Sequence, residues 1–202
     1  MISRIGFLLL VSAALGERSA RAEGFYWSLK YDPSVPVGSM RSFAPNVTPL
    51  GFDIDARYWF ARNWSLGIGG AWTRFYDTLP FGTYQVTSGA VTATIYRTLD
   101  VVSVLSEVHY FFDPERPVSP FIGAGFGYSS ALFGVLVSDI DVSERHGGLV
   151  VSPEAGVLIP FDANGVMRQA VVLGARYTFT TSSYREAASL SFIGLTLGAL
   201  IY

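Results

Sequence analysis

The stretch Gly51-Phe52-Asp53-Ile54-Asp55-Ala56-Arg57-Tyr58-Trp59-Phe60 alternates strictly in character. Phe52, Ile54, Ala56, Tyr58 and Phe60 form one set, and Gly51, Asp53, Asp55, Arg57 and Trp59 the other. A β-strand sends successive side chains to opposite faces, so residues 50–60 read as a strand with one oily face and one mainly charged face.

The same period of two recurs on both sides of this stretch. In 64–77 the bulky set is Leu66, Ile68 and Trp72, opposed by Gly67, Gly69, Ala71 and Thr73; in 120–130 it is Ile122, Ala124, Phe126 and Tyr128, opposed by Gly123, Gly125 and Gly127. With 24–32, 99–112, 148–161, 166–180 and 188–202, and with the fifth strand taken as 120–134, the pattern predicts eight strands. Each is close to the roughly ten residues that a tilted strand needs to cross a membrane. Ala187 to Tyr202 carries Gly194, Gly198 and several Ser and Thr residues, and reads as a terminal strand rather than a helix. The connections 61–63, 113–119 and 162–165 are short, with Pro114, Pro117, Asp162, Asn164 and Gly165 as turn residues. Those at 33–49, 78–98, 135–147 and 181–187 are mostly longer. Short turns on one rim and long loops on the other predict an all-β fold, an eight-stranded antiparallel up-and-down transmembrane β-barrel.

A soluble sandwich or lipocalin-like barrel would also have hairpins, with its apolar face turned inward. Rows of glycine cannot fill such a core. In a barrel of eight strands the interior is just wide enough for side chains. Glycines facing inward therefore make room for long polar groups from other strands, and the bulky set faces lipid. By parity the inward set contains Lys30, Asp53, Asp55, Arg57, Glu107, His109, Glu154 and Arg176. Lone buried charges are prohibitive, so these are expected to pair as a network, with Arg57 and Arg176 close to Glu107 or Glu154. Aromatic residues gather near strand ends. Trp27, Tyr58, Phe60, Trp64, Tyr110, Phe112, Phe121 and Tyr177 are expected to form girdles at the headgroup level.

The N-terminus bears on the compartment. Arg4 precedes an apolar stretch from Ile5 to Leu15, and Ala20-Arg21-Ala22 offers small residues at a cleavage site, the pattern of a secretory signal peptide over residues 1–22. As a helix those eleven or so apolar residues would rise about 16 Å, roughly half a bilayer core. The barrel domain is then 23–202. Half of the 202 residues are hydrophobic and none is cysteine, which excludes disulfides, thiolate metal sites and a cysteine nucleophile. Without residues 1–22 the 14 basic side chains lose three and the 16 acidic ones lose one. The net charge of about −4 gives no reason to expect a nucleic-acid partner.

The stretches Tyr58-Trp59-Phe60 into Trp64-Ser65-Leu66-Gly67-Ile68-Gly69, and Glu107-Val108-His109-Tyr110-Phe111-Phe112 into Pro120-Phe121-Ile122-Gly123-Ala124-Gly125-Phe126-Gly127-Tyr128, resemble the way small outer-membrane β-barrels of the OmpA-like and OmpX-like family pass through their periplasmic turns. The resemblance covers residues 23–202. It implies the cell outer membrane of a Gram-negative bacterium, and contacts with outer-membrane lipids and lipopolysaccharide. It also implies handling by the barrel-assembly machinery, for which Leu200 and the terminal Tyr202 match the recognition signal, with Gly198 one place from the family's usual glycine.

Some barrels of this size are enzymes. Similarity to lipid A deacylases would require a His and Ser one residue apart, and His109-Tyr110-Phe111 lacks the Ser. A palmitoyltransferase-like set could draw on His146, Asp139 or Asp141, and Ser138 or Ser143, residue types common in any polar loop. Asp139, Asp141 and Glu144 read as a solvated acidic loop rather than a metal site. Gly123-x-Gly125-x-Gly127 lies in a strand with no helix following and is not a nucleotide loop. No cofactor or metal is expected. The expectation is a monomeric, non-enzymatic barrel with a structural or surface-interaction role, its lumen plugged by the charged network and its loops 33–49 and 78–98 presented outward. Passive transport of small solutes or ions through the lumen is the alternative, and a lipid A-modifying enzyme a third.

Overall fold

The computed structural model describes residues 24–86, 89–114, 116–161, 169–183 and 189–201. The signal-peptide segment, the turn residues Asp162, Asn164 and Gly165, and Tyr202 lie outside them.

The strands are β1 (Phe25–Tyr31), β2 (Ser34–Val37), β3 (Gly51–Ala61), β4 (Trp64–Val86), β5 (Gly89–Phe111), β6 (Ser119–Val137), β7 (Ile140–Pro160), β8 (Gln169–Thr180) and β9 (Leu190–Ile201). All pair antiparallel with their neighbours, and β1 also pairs with β9, so the sheet closes on itself. Both β1 and β2 lie along β9 in one register direction, Tyr31 opposite Leu197 and Ser34 opposite Gly194. They are two pieces of one barrel strand, parted at Asp32-Pro33, where proline has no N–H to give. The ladder continues across the break, since Asp32 N–H donates to Gly51 O and Leu195 N–H to Pro33 O, both at 2.9 Å. Eight strand positions therefore ring the barrel.

The strands run further than alternation alone suggested. Residues 78–86 and 89–98 belong to β4 and β5, which stay paired from Trp64↔Tyr110 to Val86↔Gly89 with a register shift between Leu79 and Gly82. Pro80 sits at that shift, the kind of place where a strand tolerates proline. Residues 135–147 belong largely to a second hairpin, whose strands meet at Val137↔Ile140 around Ser138, with φ +52°. Pairing of β5 with β6 ends at Ile95↔Val137, and pairing of β3 with β4 at Gly51↔Thr73. The tip of the β4–β5 hairpin thus projects as a two-stranded ribbon whose edges are unpaired among the described residues.

Outward and inward sets separate cleanly. Leu66, Val104 and Phe126 are 56%, 62% and 58% exposed, whereas Glu107 and Arg176 on the inner face are each 2% exposed. A closed sheet satisfies all its strand–strand hydrogen bonds internally and has no edges along the wall. With an apolar exterior, it is a structure that spans a bilayer. No helix among the described residues is long and apolar enough to do so. Ile68 lies midway along the outward apolar row of β4. Replacing it by arginine is expected to lower the unfolding free energy in phospholipid vesicles by about 2–4 kcal/mol, the range for a cation at the bilayer midplane; denaturant titration checks this.

Candidate functional site in the barrel interior

Inward parity brings Lys30 from β1, Asp53, Asp55 and Arg57 from β3, Glu107 and His109 from β5, Glu154 from β7 and Arg176 from β8 to one level of the lumen. Lys30 Nζ is 2.9 Å from Asp53 Oδ1, 3.1 Å from Asp55 Oδ2 and 3.7 Å from Glu154 Oε1. Arg57 holds Asp55 through Nε at 2.6 Å and Glu107 through Nη2 at 2.9 Å. Arg176 reaches furthest: its Nη2 lies 2.7 Å from Glu154 Oε2 and 3.5 Å from Glu107 Oε1, and its Nη1 bonds Asp53. Ser28 Oγ donates to Asp55, and His109 Nε2 stands 3.6 Å from Glu154 Oε2. Every one of these charges is part of a single connected layer across the lumen.

Glycines on neighbouring strands make the layer possible. Arg57 lies opposite Gly67, His109 opposite Gly123 and Lys30 opposite Gly198. A methyl at Gly67 would stand 2.5 Å from Arg57 Cγ, one at Gly198 2.5 Å from Lys30 Cγ, and one at Gly123 would overlap the His109 ring. The long side chains lie flat across space that a Cβ would fill.

Apolar residues close the lumen on both sides of the layer. Toward the short turns, Tyr26, Trp59, Phe111, Phe121, Leu158, Ala170, Val172 and Leu200 pack together, and the Tyr26 hydroxyl donates to Ser65 at 3.0 Å. Toward the long hairpins, Phe75, Leu99, Val101, Ala131, Phe133, Leu190 and Phe192 receive Met40, Phe43 and Ala44 from the connection between β2 and β3. That connection carries a 3₁₀ helix, Gly38–Ser42, with Met40 wholly buried. Residues 33–49 were expected to be presented outward. Part of the segment does face outward, with Val47 59% exposed, but Met40, Phe43 and Ala44 fill the outer mouth, and the Arg97 guanidinium covers the Phe43 ring at 5.7 Å.

Of the residues expected in the aromatic girdles, Trp27, Tyr58, Phe60, Trp64, Phe112 and Tyr177 are exposed on the outer wall and Tyr110 is partly so, with Trp64 and Tyr110 in contact at 4.9 Å between ring centroids. Phe121 is a correction. It is 3% exposed and lies inside the barrel against Phe111, ring centroids 5.6 Å apart. Odd positions in β6 face inward with Gly123, Gly125 and Gly127, so closeness to the turn does not decide the side. Tyr26, Trp59 and Phe111 are inside for the same reason. Tyr177 lies well away from the short turns, opposite Ile193. Of the assembly-signal residues, Leu200 faces inward in the lower cluster.

Sequence reasoning missed Asp32, which is buried at the outer side of the charged layer. Its signal was present, since it follows Lys30 by two residues and shares its parity. Two of the loop residues of a palmitoyltransferase-like set, His146 and Ser143, do not converge. His146 and Ser143 are three apart in the regular strand β7 and so point to opposite faces, and His146 instead meets Glu144 at 3.5 Å. Among the described residues no group of three or more His, Asp or Glu side chains is arranged to hold a metal ion.

The closed antiparallel ring, its lipid-ready exterior and its connectivity match a known architecture. The structure superposes on Neisserial surface protein A with a TM-score of 0.56 at 16% identity, covering 88% of this chain and 96% of that one. The chain has the fold of the small outer-membrane β-barrels. Ail, the attachment invasion locus protein of Yersinia pestis, aligns at 17% identity and a TM-score of 0.48 over 89% of this chain and all of that one. The N-terminal barrel domain of Pseudomonas aeruginosa OprF aligns at 12% identity and 0.43 over 87% and 97%. No protein-family model and no curated protein sequence matches the chain.

Removing one partner of a buried ion pair strands the others, whereas an exposed pair contributes little. Arg176→Met leaves Asp53 and Glu154 short of a cation and is expected to destabilise the barrel by about 3–5 kcal/mol. Arg116→Met, which breaks the exposed pair with Asp113, is expected to cost under about 1 kcal/mol. Denaturant titration of the two variants side by side makes the comparison.

Proposed function

We propose that the protein is a monomeric, non-enzymatic barrel of the bacterial outer membrane that braces the envelope and offers an external surface for interaction. The observation that carries the reading is the β4–β5 ribbon. From Thr78 to Tyr96 the sequence contains no Asp, Glu, Lys, Arg or His. Free strand edges in soluble proteins are commonly blunted with charges, and an uncharged one is a surface suited to contact. Phe81, at the base of the projecting tip, is 76% exposed, and Thr83 and Thr92 link the two strands at 2.9 Å between hydroxyls. Below the rim, the wall would meet outer-membrane lipids, with lipopolysaccharide around the upper part. The barrel-assembly machinery would be its partner during biogenesis only.

The layered lumen supports a closed barrel in preference to a conduit. An ion passing through would have to cross two apolar clusters and a layer of interlocked salt bridges. In planar bilayers the purified protein is expected to give no steady conductance step. A reproducible channel would instead establish passive transport. Replacing residues 80–93 by an Asn-Gly turn is expected to leave the heat-modifiable gel shift of the folded barrel unchanged and to reduce clumping and surface attachment of expressing cells severalfold. Attachment equal to that of the full chain would remove the interaction role.

A further inference from the structure

The charge count in the lumen does not close. Five carboxylates, Asp32, Asp53, Asp55, Glu107 and Glu154, share the middle of the lumen with three permanent cations, Lys30, Arg57 and Arg176, while a sixth buried carboxylate, Asp77, lies nearer the outer mouth and accepts from Asn46. Protonation of His109 would add a fourth. At least one negative charge is left without a partner in a place that water barely reaches, and a desolvated carboxylate without compensation is prohibitive.

The geometry identifies the carboxylate concerned. Asp53, Asp55, Glu107 and Glu154 each lie in ion pairs with Lys30, Arg57 or Arg176. Asp32 is 3% exposed, forms no ion pair among the described residues, and its Oδ1 has no hydrogen-bond partner. The carboxylate lies over Gly194, where a side chain of any size would displace it. It lines a small cavity on the outer side of the charged layer, together with Thr73, Ser103, Thr178 and Arg176, under Val101 and Phe192. Arg176 attracts Asp32 across the cavity but is already paired with Asp53, Glu154 and Glu107 and makes no ion pair with it.

We infer that this cavity is a binding site for one desolvated monovalent metal cation of the sodium or potassium class, held by the Asp32 carboxylate and the hydroxyl oxygens of Thr73, Ser103 and Thr178. Carboxylate and hydroxyl oxygens are the ligands a hard cation takes. A single free carboxylate matches one positive charge, whereas divalent ions usually draw on more acidic oxygen. Gly194 leaves the room, the hydroxyls supply neutral oxygens, and the apolar cap of Met40 and Phe43 further out shields the site from bulk water.

Equilibrium dialysis of the folded barrel in detergent against millimolar rubidium chloride, at pH 8 and fixed ionic strength with choline as the balancing cation, tests this directly. The expected result is about one rubidium ion bound per chain, with affinity at least tenfold lower in Asp32→Asn. Thr178→Val, which keeps the carboxylate, is expected to weaken binding by a smaller factor. In parallel, the temperature of the heat-modifiable shift is expected to rise when choline is replaced by sodium or potassium in the wild-type chain and to be indifferent to the replacement in Asp32→Asn. No rubidium bound by the wild-type barrel overturns the site, whether or not Asp32→Asn folds. The site is equally overturned by a shift temperature that follows pH and ignores the cation, which would mean that a proton compensates Asp32. Rubidium binding undiminished in a folded Asp32→Asn barrel would also overturn it.

Discussion

Charge inside a narrow, closed sheet has to be neutralised by neighbours, and the architecture of this chain follows from that constraint. The lumen of an eight-stranded barrel admits long side chains only if something opposite them is small. Here arginine, lysine and histidine each face glycine on the next strand, as Arg57 faces Gly67 and Lys30 faces Gly198. The interstrand register thus carries two kinds of complementarity at once, steric between neighbours and electrostatic across the lumen. A shift of one residue would send both into lipid.

Such a layer confers geometry more than net stability. Bringing charges out of water costs most of what their attraction returns, and replacement by apolar residues of matching shape is often neutral. What the salt bridges specify is which strands lie beside and across from one another, because Arg176 can satisfy Asp53 and Glu154 together only in this arrangement. The apolar clusters on either side add ordinary core packing. The interior of the molecule is therefore a conventional hydrophobic core interrupted by a polar stratum, inside a wall whose outer face is also apolar.

Much of this was legible from alternation. Residues 50–60, 64–73 and 120–128 announce their faces because one set is oily and the other charged or tiny, and the charged set read from parity lies together in the lumen. Legibility ends where parity competes with nearness to a turn or becomes weak. Phe121 stands close to a turn, as the outward aromatics do, yet its odd position puts it with the inward glycines. Residues 86–94 consist only of Val, Thr, Ser, Gly and Ala, with no marked contrast between alternate positions, so the length of the β4–β5 hairpin shows only in its pairing. The folding of Met40 and Phe43 into the outer mouth depends on contacts with Phe133 and other residues far along the chain, which no local pattern encodes. Asp32 sat at the edge of a segment whose continuation, β2, is separated from it by proline.

The side of β4 that faces outward changes character abruptly. Above the oily row from Trp64 to Trp72 comes Arg74, bound through Nε to Asp100 at 2.7 Å, while the Trp72 indole N–H donates to the same carboxylate at 3.1 Å. Eight residue steps of extended chain cover about 27 Å, and at a tilt of about 40° they rise only about 21 Å along the normal. On β4, then, the oily row ends slightly short of the apolar band of about 25 Å usual for outer-membrane barrels. On β6 the outward row stays uncharged from Pro120 to Leu136, so the wall meets the headgroups at different heights around its circumference, lowest where Arg74 and Asp100 stand.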